Sequence, residues 1–189
     1  MKKIYVLLAT VLVLFASCSK DSGIVTSESI FPNYSDVVIP VNIAPLNFMV
    51  SGAEKVKVNI SGTSEYSFSN RGETVKFPLK RWKQMLNVEK GNSLKVSVFV
   101  NGENSPLAQF NWTVSADSID KYLSYRLIEP AYEVWSRIEI QERNLENFST
   151  RLLGDNRTAD KCCINCHTTN NKGTSFMHLR GSNGGTILN

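Results

Sequence analysis

Histidine is scarce in this chain. Among 189 residues there are two, His167 and His178, both near the C-terminus. With both imidazoles on the tail, no Ser-His-Asp set can be assembled, and no paired-carboxylate motif stands out. A strong charge of one sign is also missing. Lys and Arg number 21 against 17 Asp and Glu, a formal net charge of +4. Residues 1–17 contain Lys2 and Lys3 and no acid, so the remaining chain is closer still to neutral. That balance argues against nucleic acid and against an anionic membrane surface as partners. Alternation of strand and helix is missing as well, which removes the βαβ setting that a redox C-x-x-C wants.

What is present is concentrated in one pentapeptide, Cys163-Ile164-Asn165-Cys166-His167. The run C-x-x-C-H is the attachment signature of a c-type haem. Two thiols add across the vinyl groups, and the next residue offers imidazole to the iron. From 4 Cys and 2 His in 189 residues, the pattern arises by chance about once in a thousand such chains. The same residues admit other chemistry. Cys162, Cys163, Cys166 and His178 make four candidate zinc ligands, and a plain disulfide remains open. On the haem reading, Cys163 and Cys166 are the thioether residues and His167 is the proximal iron ligand. Cys162 is then left over, as a bystander, a substitute thioether partner or a redox-sensitive thiol.

The N-terminus sets the expected compartment. Lys2 and Lys3 precede an apolar run, Ile4 to Phe15, followed by the small residues Ala16 and Ser17. This is the form of a secretory signal peptide, and the run is too short for a stable membrane span. The junction Leu14-Phe15-Ala16-Ser17-Cys18 resembles a bacterial lipobox. It implies cleavage before Cys18, lipidation of that thiol and a membrane anchor. The expected location is the bacterial cell envelope, where covalent haem attachment takes place and where a disulfide is also permitted.

From Ser19 to about Ser35 the chain is polar and reads as a tether. Residues 36–116 then show repeated two-residue periodicity. Val37 to Val41 form a first strand, marked as an edge by Pro40, and Asn47 to Val50 a second. Val56, Val58 and Ile60 alternate with Lys55, Lys57 and Asn59. Tyr66 with Phe68, Val75 with Phe77, Leu94 to Val100, and Phe110, Trp112 and Val114 continue the series. Asn101-Gly102 is a hairpin-turn signal. The expectation is a mainly β protein whose antiparallel β-sandwich, of the immunoglobulin or fibronectin kind, occupies 36–116. One helical interruption is expected over Leu79 to Leu86. Of the three tryptophans, Trp112 is in phase with its neighbours and belongs in a core rather than on a sugar-stacking surface. Residues 117–189 read as a connector with a helix from Asp117 to Ile128, a strand near Ile138 to Leu145 and a polar loop from Leu153 to Lys161. A short irregular or helical haem-binding segment follows.

Several runs together carry a resemblance. They are Asn42-Ile43-Ala44-Pro45-Leu46-Asn47-Phe48, Tyr125-Arg126-Leu127-Ile128-Glu129-Pro130, Gln141-Glu142-Arg143-Asn144-Leu145, Asp155-Asn156-Arg157, the C-x-x-C-H itself, and His178-Leu179-Arg180-Gly181 leading to Gly184-Gly185-Thr186. In this order they resemble the TolB-like, WD40-like propeller lipoproteins. The resemblance implies an N-terminal β domain and a cytochrome-c-like segment. It covers the N-terminal region of that family, because the chain stops at Asn189, where the propeller is expected to begin. It also favours His178 as the distal iron ligand over its neighbour Met177, since a histidine stands at this place in that family. Met177 then packs on the porphyrin, and Arg180 pairs with a propionate. The function expected is electron transfer by one covalent haem c, with an unidentified redox partner. The alternative is a non-enzymatic binding or assembly module with a structural zinc or disulfide.

Overall fold

The computed structural model describes residues 29–128, 138–157, 163–170, 174–180 and 185–188. The expected signal peptide, Cys18, Cys162 and most of the expected tether lie outside them. The described residues are mainly β, in largely antiparallel sheets with one short helix.

The first unit has two sheets. The larger takes the order β2-β8-β7-β4-β5, from Val37–Ile39, Ala108–Val114, Ser93–Val100, Lys55–Ser61 and Glu65–Arg71. All its pairs are antiparallel except β2 with β8, where Val37 to Ile39 run alongside Trp112 to Val114. The smaller sheet, β1-β3-β6, is made of Ile30–Phe31, Phe48–Val50 and Thr74–Val75. Ile30 is 4% exposed and joins the core, so the fold takes up the chain before residue 36, inside the expected tether.

The expected alternation is what the strands show. Along β4 the lysines face solvent while Val56, Val58 and Ile60 are wholly buried. The helix α1 spans Leu79–Val88 and buries Trp82, Met85 and Leu86 on one face. Those three fit the three- and four-residue spacing of a helix stripe. Trp82 and Trp112 stand in a T-shaped pair, with ring centroids 5.7 Å apart. Phe77 packs on both. Neither indole leaves its N–H unsatisfied: Trp82 Nε1 donates to the Ile43 carbonyl at 2.9 Å and Trp112 Nε1 to the Tyr34 carbonyl at 2.8 Å. These two tryptophans are core residues. At Asn101-Gly102 both φ values are positive, 52° and 83°, as a tight turn of this sequence requires. The chain then runs on to Ala108 before pairing, so the turn opens a longer connection rather than a two-residue hairpin.

The second unit corrects two expectations. The helix expected over Asp117 to Ile128 is absent. Tyr122–Ile128 is strand β9, paired antiparallel along its whole length with β10, Ile138–Asn144. Asp117 does not cap a helix; its amide N–H is held by Ser115 Oγ. Tyr, Leu and Ile suit a strand once a partner is offered, and the tertiary pairing overrides a local cap signal. The polar loop expected from Leu153 likewise begins as strand β11, Thr150–Asp155, which completes the sheet β11-β10-β9. The expected strand at 138–145 is present.

Candidate functional site

The C-x-x-C-H run is itself a strand. β12, Cys163–Thr169, pairs antiparallel with β13, Ser175–Arg180, and β13 pairs with β14, Gly185–Leu188. This sheet replaces the irregular or helical segment expected from the sequence. Its register places Ile164 opposite Leu179, Asn165 opposite His178 and His167 opposite Met177. The register shifts between Asn165 and His167, so Cys166 sits at a bulge.

A small core explains why the run is extended. Ile164 is fully buried and Met177 is 1% exposed, and both pack with Ile138 and Ile140 of β10. Cys163 and Leu153 are half-buried against them. Gly154 on β11 makes the close approach possible. A Cβ there would lie 3.1 Å from Ile164 Cδ1 and 3.3 Å from Met177 Sδ. Cys163 is a free thiol. Among the described residues, no three His, Cys, Asp or Glu side chains converge as a metal would need.

This arrangement does not fit a haem ligated by these residues. Residues opposite each other in a ladder project to the same side, and neighbours along a strand to opposite sides. His167, half-buried, therefore projects to the side of Met177, and His178, exposed, to the other. A ring carrying His167 on one face and His178 on the other would have to pass between two hydrogen-bonded strands. Met177 is no better placed. It is the direct cross-strand partner of His167, with Cα atoms about 5 Å apart, which leaves no room for a ring between the two side chains. In addition its thioether is part of the core. The side chains of Cys166 and Arg180, and all of Cys18 and Cys162, lie outside the described residues.

The other runs quoted from the sequence turn out to position elements. Asn42 joins the two units: its Nδ2 donates to the Ile119 carbonyl at 2.9 Å and to Glu146 at 3.4 Å, and its Oδ1 accepts from the Ile119 amide at 3.0 Å. The Ala44 amide donates to the Leu145 carbonyl at 2.8 Å. Glu142, 4% exposed, accepts a forked pair of bonds from Arg151 at 2.7 and 3.3 Å. That hydrogen bond, with the charge of Glu142, raises the Arg151 guanidinium above its usual value. Asp155 accepts three bonds from Arg157, and the Asn156 amide donates to Ile138 to close β11 onto β10.

One buried carboxylate escaped sequence reasoning. Glu89, fully buried at the end of α1, accepts from the Thr63 amide at 2.9 Å, the Thr63 hydroxyl at 2.8 Å, the Ser64 amide at 3.1 Å and the Tyr66 hydroxyl at 3.1 Å. Burial pushes its pKa up, but these donors outweigh burial and hold it below the ordinary 4.5. The phenol of Tyr66 is raised in turn, by burial and by its bond to Glu89. Every oxygen of this carboxylate is committed to the β4–β5 turn, so the site is structural rather than catalytic. No periodic pattern marks it, because its partners lie 23 to 26 residues away in the chain.

No protein-family model matches the chain, and no curated protein matches it.

Proposed function

We propose that this chain is a non-enzymatic binding or assembly module of the bacterial cell envelope, lipid-anchored through Cys18, in which the cysteine strand is structural. The observation that carries the reading is the burial of Ile164 of β12 and Met177 of β13 against β10 and β11. Ile164 of the C-x-x-C-H run and Met177 of β13 build the second core with Ile138 and Ile140 of β10. The first unit is an immunoglobulin-like sandwich in this reading. Its support is the order β2-β8-β7-β4-β5, with β2 parallel to the last strand, and one core shared with β1-β3-β6. A structural zinc or disulfide at this segment would draw on Cys162, Cys163, Cys166 and His178.

A second reading is favoured by the spacing of Cys163, Cys166 and His167. It is a covalent haem c that carries electrons to a redox partner, with His178 or Met177 as the distal ligand. It requires β12 and β13 to part. One experiment separates the readings. The protein is exported in cells that carry haem-maturation machinery, and its intact mass and an in-gel haem stain are recorded. The expected mass is that of the lipidated polypeptide, with no stain. One added haem that disappears in the Cys163→Ser, Cys166→Ser variant establishes the haem reading instead.

A further inference from the structure

β9 has a described strand on one side only, at the margin of the sheet β11-β10-β9. It also carries more exposed apolar surface than a solitary edge strand normally shows. Tyr122 and Leu123 are each 50% exposed, Leu127 is 45% and Ile128 is 47% exposed. These four residues sit at the two ends of the strand, arranged symmetrically about Tyr125. Leu123, Tyr125 and Leu127 share one side of the sheet, opposite Arg143, Gln141 and Glu139. Leu152, 53% exposed, extends that side as the partner of Gln141 on β11.

The sequence of β9, Tyr-Leu-Ser-Tyr-Arg-Leu-Ile, is self-complementary when read against a reversed copy. With a two-fold axis at Tyr125, Tyr122 meets Ile128, Leu123 meets Leu127, Ser124 meets Arg126 and Tyr125 meets itself. All four exposed apolar residues thereby gain an apolar partner. Moving the axis to Arg126 sets two guanidiniums directly opposite each other, which is unfavourable, and leaves Tyr122 and Leu123 outside the pairing. Moving it to Ser124 sets Tyr122 against Arg126 and leaves Leu127 and Ile128 outside. Only the axis at Tyr125 satisfies the whole strand.

We propose that two copies of this chain pair through β9, antiparallel about a two-fold axis at Tyr125, making one sheet in the order β11-β10-β9-β9-β10-β11. Such a contact is isologous, the commonest way for identical chains to close. It uses main-chain pairing for affinity and the alternate side chains for register. Confined to one strand and its flanks, it falls below the standard interface of about 1,600 Å², so the dimer forms and dissociates with concentration.

The test uses the full chain in detergent. Sedimentation is measured over a concentration series for the parent and for Leu127→Glu. Disulfide-linked dimer after mild oxidation is compared for the parent, Tyr125→Cys and Leu123→Cys. Across the axis the two Cα atoms at position 125 lie about 4.5–5.5 Å apart, within reach of a disulfide. The two at position 123 are about 13 Å apart and cannot be bridged. The expected results are a concentration-dependent dimer in the parent, about a tenfold loss of dimer fraction in Leu127→Glu, and linkage in Tyr125→Cys well above that in Leu123→Cys and the parent. A parent that stays monomeric, with equal linkage in both cysteine variants, overturns the proposal. A dimer that survives Leu127→Glu and does not link through Tyr125→Cys places the contact on another surface and overturns it equally. If Leu127→Glu fails to fold, the contrast between the two cysteine variants still decides.

Discussion

Glu89 shows how much of this fold rests on single polar atoms. A buried carboxylate is tolerated only when its lone pairs are satisfied, and four donors do so here. Gly62 is required beside it. A Cβ at that position would stand 2.6 Å from Glu89 Oε2 and 2.5 Å from Leu94 Cδ2. Glu89→Gln keeps the shape but turns an NH₂ group toward donors. The expected loss is about 1–3 kcal/mol of stability, read as a lowered denaturant midpoint. The sign of its pH dependence follows from the depressed pKa. The stabilisation is complete above the ordinary value of 4.5 and is lost as pH falls through the lower folded value. Glu146 moves the same way: burial raises its pKa, and the bonds from Lys83 and Asn42 more than offset this. Acid titration of stability should therefore fall below about pH 4.5 in the parent and fall less steeply in Glu89→Gln. An identical slope in the two proteins would remove Glu89 as a source of the dependence. At this scale the apolar residues were readable and the polar ones were not. Trp112 declared itself by phase with Phe110 and Val114. Glu89, Asn42 and Glu142 gave no periodic signal, because their partners are 23 to 104 residues away or on another strand.

Among the elements, legibility followed burial on one face. β4, β7 and β8 have one face in the core and one in water, so their alternation is plain in the sequence. β9 lacks that contrast. Both its faces are largely exposed, so the residue pattern carries no period of two, and the capping residue Asp117 points to a helix instead. β12 is obscure for another reason: the C-x-x-C-H run carries no clear alternation, and the buried Ile164 between the cysteines sets its conformation. Ile164→Ala is expected to cost about 2–5 kcal/mol, enough to release β12 and β13 from β10 while the first unit stays folded. Selective loss of amide protection in β12 and β13, with β4 and β7 unchanged, is the measurement that checks it. Gly154→Ala tests the same packing from the opposite side. Its methyl group meets Ile164 and Met177 at 3.1 and 3.3 Å, so overpacking of about 1–3 kcal/mol is expected. Combining it with Met177→Ala should recover part of that loss rather than add to it.

The described residues form two β units that meet through a set of polar contacts. The proposed N-terminal anchor can be checked separately: incorporation of a labelled fatty acid should be abolished in Cys18→Ala, and equal label in both proteins would end the lipoprotein reading. The contact between the units is centred on Asn42, whose carboxamide uses both of its ends on Ile119 and also reaches Glu146. Beside it, Lys83 meets Glu146 at 3.2 Å with both side chains partly in water, a pair worth little alone. The Ala44–Leu145 backbone bond depends on the position of the 144–149 turn, which Asn144 Oδ1 fixes through the Glu146 amide. Asn42 is therefore the residue whose loss should uncouple the units. Asn42→Ala strands a partly buried amide and a carbonyl, at a cost of about 1–3 kcal/mol. Because that cost falls on the contact, neither core is disturbed directly. The expected outcome is faster amide exchange at Ile119 and along β9 and β10, with exchange in β4, β7 and β8 unchanged. Lys83→Ala, which removes only the solvated ion pair, should leave both patterns nearly as they were. Uniform acceleration through both units in Asn42→Ala would instead show that they fold as one body, with Asn42 serving the common core.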